Sequence, residues 1–142
     1  MKKLAASLVE AKSVMTSLYS LSLSKSRVGP EGMRHLCDAF AKGAVPALVA
    51  LRLDENKLGD EGMKHLGAAI GRGALPSLSE LNLKSNGIGA VGVRHLTKGL
   101  EAARKSRACA LRLLYFGHNS GEALDALEDV SRNGMPFEVI MR

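Results

Sequence analysis

The feature that most constrains this chain is that it repeats itself. "LYSLSLSKSRVGPEGMRHL" begins at Leu18, "LVALRLDENKLGDEGMKHL" at Leu48 and "LSELNLKSNGIGAVGVRHL" at Leu78, thirty residues apart. A partial copy, "LRLLYFGHN", follows at Leu111 after a spacing of thirty-three. The shared skeleton is L-x-x-L-x-L-x-x-N-x-L, with Asn56, Asn86 and Asn119 at the Asn place and Ser26 there in the first copy. A single unit of this size cannot bury its own apolar edge. Copies must stack, and the core then runs along the stack.

Each place in the skeleton has a physical task. Leu51 and Leu53 stand two apart, so they point to one side of a strand. Leu48 turns in before them and Leu58 after them. Asn56 suits the loop that closes the strand, where its amide can hydrogen-bond backbone groups. Stacked copies would align these Asn side chains into a ladder that satisfies buried loop amides. Gly59 and Gly62 are read as permitting the tight turn. Pro30, at the place of Asp60, suits a first helical turn, and Asp60 and Glu61 suit the positive end of a helix dipole. The period then changes from two to a helical one. Met33, Leu36 and Phe40 form one apolar stripe; Met63, Leu66 and Ile70 form the next; Val93, Leu96 and Leu100 form the third. Gly43 and Gly73 stop the first two helices, and Pro46 and Pro76 precede the next strands.

These strand–loop–helix units resemble the leucine-rich repeat family, in particular its ribonuclease-inhibitor-like class, over residues 18–119. The resemblance implies an α/β fold: a right-handed solenoid, a horseshoe segment with a parallel concave sheet and convex helices. The chain divides into an N-terminal capping helix over 1–17, full repeats over 18–47, 48–77 and 78–110, and a partial repeat with a C-terminal cap over 111–142, all one domain. Ser26 in place of Asn and the stretch "ARKSR" depart from the pattern. In the cap, Leu4, Leu8 and Val9 form the inner face. In the tail, a helix over 121–132 is expected to bury Leu124, Leu127 and Val130. A last strand then places Phe137 and Ile140 on the first two Leu places and Arg142 on the third.

Composition narrows the function. No apolar run is long enough to span a bilayer. The basic, Ser-rich N-terminus "MKKLAASLVEAKSVMTSL" has some transit-peptide character, and a capping helix is the favoured reading. Cys37 falls mid-helix and Cys109 before the fourth strand, too far apart in a stack for a disulfide. An intracellular, reducing compartment is therefore expected, cytoplasmic in preference to organellar. No Gly-rich phosphate loop, H-E-x-x-H, C-x-x-C or G-x-S-x-G occurs, so no enzyme, cofactor or small-molecule substrate is expected. His35, His65 and His95 recur at one place, about 200° around their helices from the apolar stripe. They are expected to point outward, with Glu31–His35 and Glu61–His65 as i,i+4 pairs rather than metal ligands.

Two surfaces remain. On the concave face the outward places are Ser20, Ser22 and Ser24; Ala50, Arg52 and Asp54; Glu80, Asn82 and Lys84; Leu113, Tyr115 and Gly117. Of these, Ser22, Arg52, Asp54, Glu80, Asn82, Lys84, Leu113 and Tyr115 are the candidate partner-binding residues, since the types change from copy to copy and Tyr and Arg anchor interfaces. On the convex side Arg34, Lys64, Arg94, Lys98, Arg104, Lys105 and Arg107 form a basic ridge. Residues 1–112 hold 18 Lys+Arg and 9 Asp+Glu, and residues 113–142 hold 2 and 5. Such a ridge could meet RNA, but two Tyr and three Phe leave little for base stacking. The function these features favour is a non-catalytic protein–protein interaction module or a small structural subunit of a multi-subunit complex, binding through the concave strand face, with the open C-terminal strand edge as a second docking place. An RNA-associated or organellar-complex protein is the alternative.

Overall fold

The computed structural model describes residues 1–12, 15–135 and 137–142. Helices and strands alternate along it: α1 (Lys2–Glu10), β1 (Ser20–Ser22), α2 (Pro30–Ala41), β2 (Ala50–Arg52), α3 (Gly59–Gly71), β3 (Glu80–Asn82), α4 (Ala90–Lys105), β4 (Leu113–Tyr115), α5 (Gly121–Arg132) and β5 (Glu138–Ile140). The N-terminal cap expected over 1–17 consists of α1 and a 3-10 turn at Met15–Ser17; its residues 13 and 14 lie outside the described residues.

The strands form one parallel sheet in the order β1-β2-β3-β4-β5. Leu21, Leu51, Leu81, Leu114 and Val139 stand side by side in register. Pairing runs on past the strands: the amides of Leu23, Leu53, Leu83 and Phe116 donate to Arg52, Asn82, Tyr115 and Ile140 at 2.8–2.9 Å. The helices lie in sequence along the other layer, each against the next. Between the layers all three helical stripes and the skeleton leucines of the second, third and fourth copies are buried; in the first copy Leu18 and Leu21 are only partly covered. Pro30 opens α2, and Gly43 and Gly73 follow the last turns of α2 and α3 with φ of +73° and +76°, the left-handed stop that a glycine takes without strain.

The turn between strand and helix is tighter than the glycines alone explain. Lys25, Glu55, Ser85 and His118, one in each copy, adopt φ of 53–59°. This left-handed step just before the Asn place swings the next side chain inward. It costs about 1 kcal/mol per non-Gly residue and persists because the Asn hydrogen bonds over-determine it. Gly59 is also left-handed at φ +57°, but its counterparts Gly29 and Gly89 are extended. Gly62 does not make the turn: it is helical, and a Cβ there would lie 2.9 Å from Leu58 Cβ. It is small to let Leu58 reach the core.

Three expectations for the ends are corrected. In β5 it is Val139, not Ile140, that pairs with Leu114, so alternation gives the next inward place to Met141 rather than Arg142. A slip of one residue exchanges the faces of a strand. This register packs Val139 and Met141 on the core and leaves Arg142 exposed and Ile140 in the outward row. In α5 only Ala123 and Leu127 are buried; Leu124 and Val130 are half-covered, because α5 packs against α4 on one side and no helix follows it among the described residues. In α1 the buried residues are Ala5 and Leu8, with Leu4 and Val9 packed part-way against the core.

Cys37 and Cys109 are both free thiols, buried and half-buried respectively. Burial pushes the Cys37 thiol up to about 12 and raises that of Cys109. Folded Cys37 thus holds its proton more tightly than unfolded Cys37, whose value is near 9.0. Its contribution to stability is complete below that pH and is lost as pH rises toward 12. Between about pH 8 and about pH 10.5 the wild type should lose roughly 1–2 kcal/mol more than Cys37→Ala in urea unfolding. Iodoacetamide should label Cys37 only when denaturant is added.

Candidate functional site

The sheet presents two aligned outward rows. Ser20, Ala50, Glu80, Leu113 and Glu138 make one; Ser22, Arg52, Asn82, Tyr115 and Ile140 make the other. Six of the eight candidate residues, Ser22, Arg52, Asp54, Glu80, Asn82 and Tyr115, line a single open cleft of about 330 Å³, joined by Ser24, Ala50 and Leu51. Lys84 and Leu113 stand outside its lining.

The cleft floor is ordered by hydrogen bonds between copies. Asp54 Oδ1 accepts from Ser24 Oγ at 2.7 Å and from Asn82 Nδ2 at 3.0 Å. Asn82 Oδ1 accepts from the Lys84 amide at 3.1 Å. Asp54 is therefore an anion held by neutral donors, fixed but not neutralised. Arg52, exposed beside it, and Glu80 make no ion pair among the described residues. Asp54 and Glu55 diverge, Glu55 pairing with Lys25 at 3.3 Å on the neighbouring turn.

The Asn ladder lies behind the cleft. Asn56 Oδ1 accepts from the amides of Ser26 and Val28 at 3.1 and 2.8 Å. Its Nδ2 donates to the carbonyls of Leu23 and Leu53 at 2.9 and 2.8 Å. Asn86 reaches Leu53 and Leu83, and Asn119 reaches Leu83 and Phe116, in the same way. Each Asn thus ties its own turn to the preceding one. Ser26 has no preceding strand beside it among the described residues, so it bridges no earlier turn; its Oγ donates to the Ser24 carbonyl instead. No buried side-chain nitrogen or oxygen among the described residues lacks a partner.

The convex ridge is less uniform than its sequence. Arg34 binds Glu31 through Nε at 3.2 Å and lies 3.5 Å from Asp38; Lys64 pairs with Glu61 at 3.3 Å. The Arg34 guanidinium, by hydrogen bonding, holds the Glu31 carboxyl below the usual carboxylate range. Arg94, Lys98, Arg104, Lys105 and Arg107 make no ion pair among the described residues, so unpaired positive charge concentrates on α4 and the turn after it. The histidines require a correction. His35 and His65 approach Glu31 and Glu61 at 3.7 and 3.8 Å as expected, but their side chains are only 22% and 26% exposed. A place 200° from the core stripe is covered when a second helix lies alongside; Glu31 feels His65 on α3 as well as its own His35. Among the described residues no group of three His, Cys, Asp or Glu is placed to hold a metal ion.

Two contacts between copies escape a reading of the single repeat. Asp60 Oδ1 accepts from the Gly89 amide at 2.6 Å, so this residue links α3 to the start of α4 as well as capping its own dipole. The second is a glycine seam between α3 and α4. A Cβ on Gly67 would meet the His95 carbonyl oxygen at 2.3 Å, and one on Gly99 would meet the Gly67 oxygen at 2.0 Å. The signal was present: Cys37, Gly67 and Thr97 share one repeat place, and Ala39, Ala69 and Gly99 another, all small.

A family model described as Leucine Rich repeat matches residues 47–67 and 74–96, within the second and third copies. The continuous parallel sheet with its alternating helices is the solenoid fold that such repeats build. No match among curated proteins was found. Leucine-rich repeats generally mediate protein–protein interaction, and no helix among the described residues is long and apolar enough to cross a membrane.

Proposed function

We propose that this solenoid is a non-catalytic recognition module or accessory subunit that binds a partner protein through the concave cleft. It uses four repeats of the ribonuclease-inhibitor-like kind in a reducing intracellular compartment. The observation that carries the reading is the arrangement around Asp54. A carboxylate pinned by Ser24 and Asn82 lies among an exposed Arg52, a Glu80 and a half-buried Tyr115, with charges of both signs left without internal partners. Rigid polar groups of this kind are preorganised for a partner's complementary charges and lose little entropy on binding. Lys84 and Leu113 would then contribute at the margin.

The test is affinity capture with quantitative mass spectrometry, using the wild type and Arg52→Ala/Tyr115→Ala. The double variant should bind the captured partner at least about 30-fold more weakly, as for loss of one central anchor. The concentration of unpaired cations on α4 supports a second reading, nucleic-acid binding through the ridge. In that case reversal of Arg104, Lys105 and Arg107 would abolish binding, affinity would fall steeply with salt, and the concave variant would bind normally.

A further inference from the structure

The two edges of the sheet are unequal in charge and alike in shape. Among the described residues β1 pairs with β2 alone and β5 with β4 alone. At the β1 edge the core is incompletely covered: Leu21 is half-exposed although Leu51, Leu81 and Leu114, its neighbours in register, are fully buried. Tyr19, beside β1, is 63% exposed while its carbonyl accepts from Val49 and Ala50, so its backbone is fixed and its ring is free. At the β5 edge Val139 and Met141 are covered only in part. β1 is Ser-Leu-Ser, without charge or proline, so its three-residue length is its main guard as an edge.

Charge distinguishes the ends. Residues 1–29 hold five Lys+Arg and one acidic residue; residues 113–142 hold two and five. The helix layer carries the same bias: α1 holds Lys2, Lys3 and Glu10, and α5 holds four acidic residues and Arg132. Lys2 and Lys3 are exposed on α1, and Glu122 and Asp125 are exposed on α5. The order of elements fits as well. Along the solenoid each strand is followed by a helix and then the next strand, and α1 stands before β1 with no strand ahead of it among the described residues. If the β1 edge of a second copy is laid on β5, that copy's α1 falls beside α5, where the helix following β5 would lie.

We propose that copies of this chain associate head to tail, β5 of one pairing in parallel with β1 of the next while the acidic α5 faces the basic α1. Such a contact is heterologous and does not close by twofold symmetry, so it extends into short linear oligomers. It uses the sheet edges and the helix ends, and leaves the concave cleft open for the partner proposed above.

Sedimentation equilibrium of the full chain from about 10 μM to about 1 mM tests it. The wild type should form a ladder of multiples of the monomer mass that shrinks as salt is raised. Lys2→Glu/Lys3→Glu should associate about tenfold more weakly, and so should Glu122→Lys/Asp125→Lys. An equimolar mixture of these two variants should associate again, because each then offers the end that the other lacks. Ser22→Pro should also prevent association. Since the Leu23 and Lys25 amides point to β2, the Ser22 amide faces the open edge, and its loss leaves β2 pairing intact. Circular dichroism of each variant checks folding. A wild type that stays monomeric at about 1 mM, or reversed variants that fail to recover on mixing, overturns the proposal.

Discussion

Replacing Gly99 with Ala should destabilise the protein by roughly 3 kcal/mol, a magnitude reserved for forced overpacking of a close contact. The direction is informative because the local rule points the other way. Ala is favoured over Gly in a helix interior by about 1 kcal/mol, and Gly99 lies well inside α4. The opposing effect is a Cβ built 2.0 Å from the Gly67 carbonyl oxygen, a backbone atom that cannot swing away without moving α3. The clash wins, and the helices must separate along their most extensive contact. Gly121→Ala is the control: it is also helical, with nothing within 4 Å of the new Cβ, and should be neutral or slightly stabilising. Urea unfolding of both variants checks the pair. Equal effects would mean that α3 and α4 do not meet at these glycines.

Asn56→Ala should cost about 3 kcal/mol by the same measurement. The side chain itself is small, and its removal leaves little cavity. The cost comes from the groups it abandons: the amides of Ser26 and Val28 and the carbonyls of Leu23 and Leu53, all satisfied by Asn56 at 2.8–3.1 Å. A buried polar group without a partner costs about 1–3 kcal/mol, and water admitted at the turn recovers part of the sum. Asn56→Asp tests the same point from the donor side. Its carboxylate could still accept from the two amides but could donate to neither carbonyl, so most of the loss should persist. Ser26→Ala, at the same repeat place but with nothing to bridge, should change stability by less than about 0.5 kcal/mol.

How far the sequence disclosed this fold depends on where one looks along it. The leucines of the strands, the stripes of the helices and the Asn ladder were legible because a fixed period makes every copy a witness to the others. Leu51 alone could belong to many structures; Leu51, Leu81 and Leu114 with an Asn five residues on could not. The last strand has no such witness. Its apolar residues are adjacent at Val139, Ile140 and Met141, so pattern alone allows either register, and packing against Leu114 and Phe116 decides. The histidines were misjudged because a helical wheel describes one helix in water, whereas the flank of α2 or α3 belongs also to its neighbour. Asp60 and Gly99 act across copies, and nothing within one copy demands them. For the candidate site, the alternation of the strands identified which side chains share the concave face. It could not show that Asp54 is pinned by Ser24 and Asn82, or that Lys64 is already matched by Glu61 while Lys98 is not.

The glycine seam also bears on the shape that a partner meets. A repeat ribbon bends because its helices are thicker than its strands, so the outer layer is longer than the inner one. Where Gly67 and Gly99 bring two backbones into contact, that mismatch shrinks, and the bend relaxes locally. The relaxed segment lies behind β3, under Glu80 and Asn82. A shallower bend behind the cleft suits a broad surface rather than a single narrow rod.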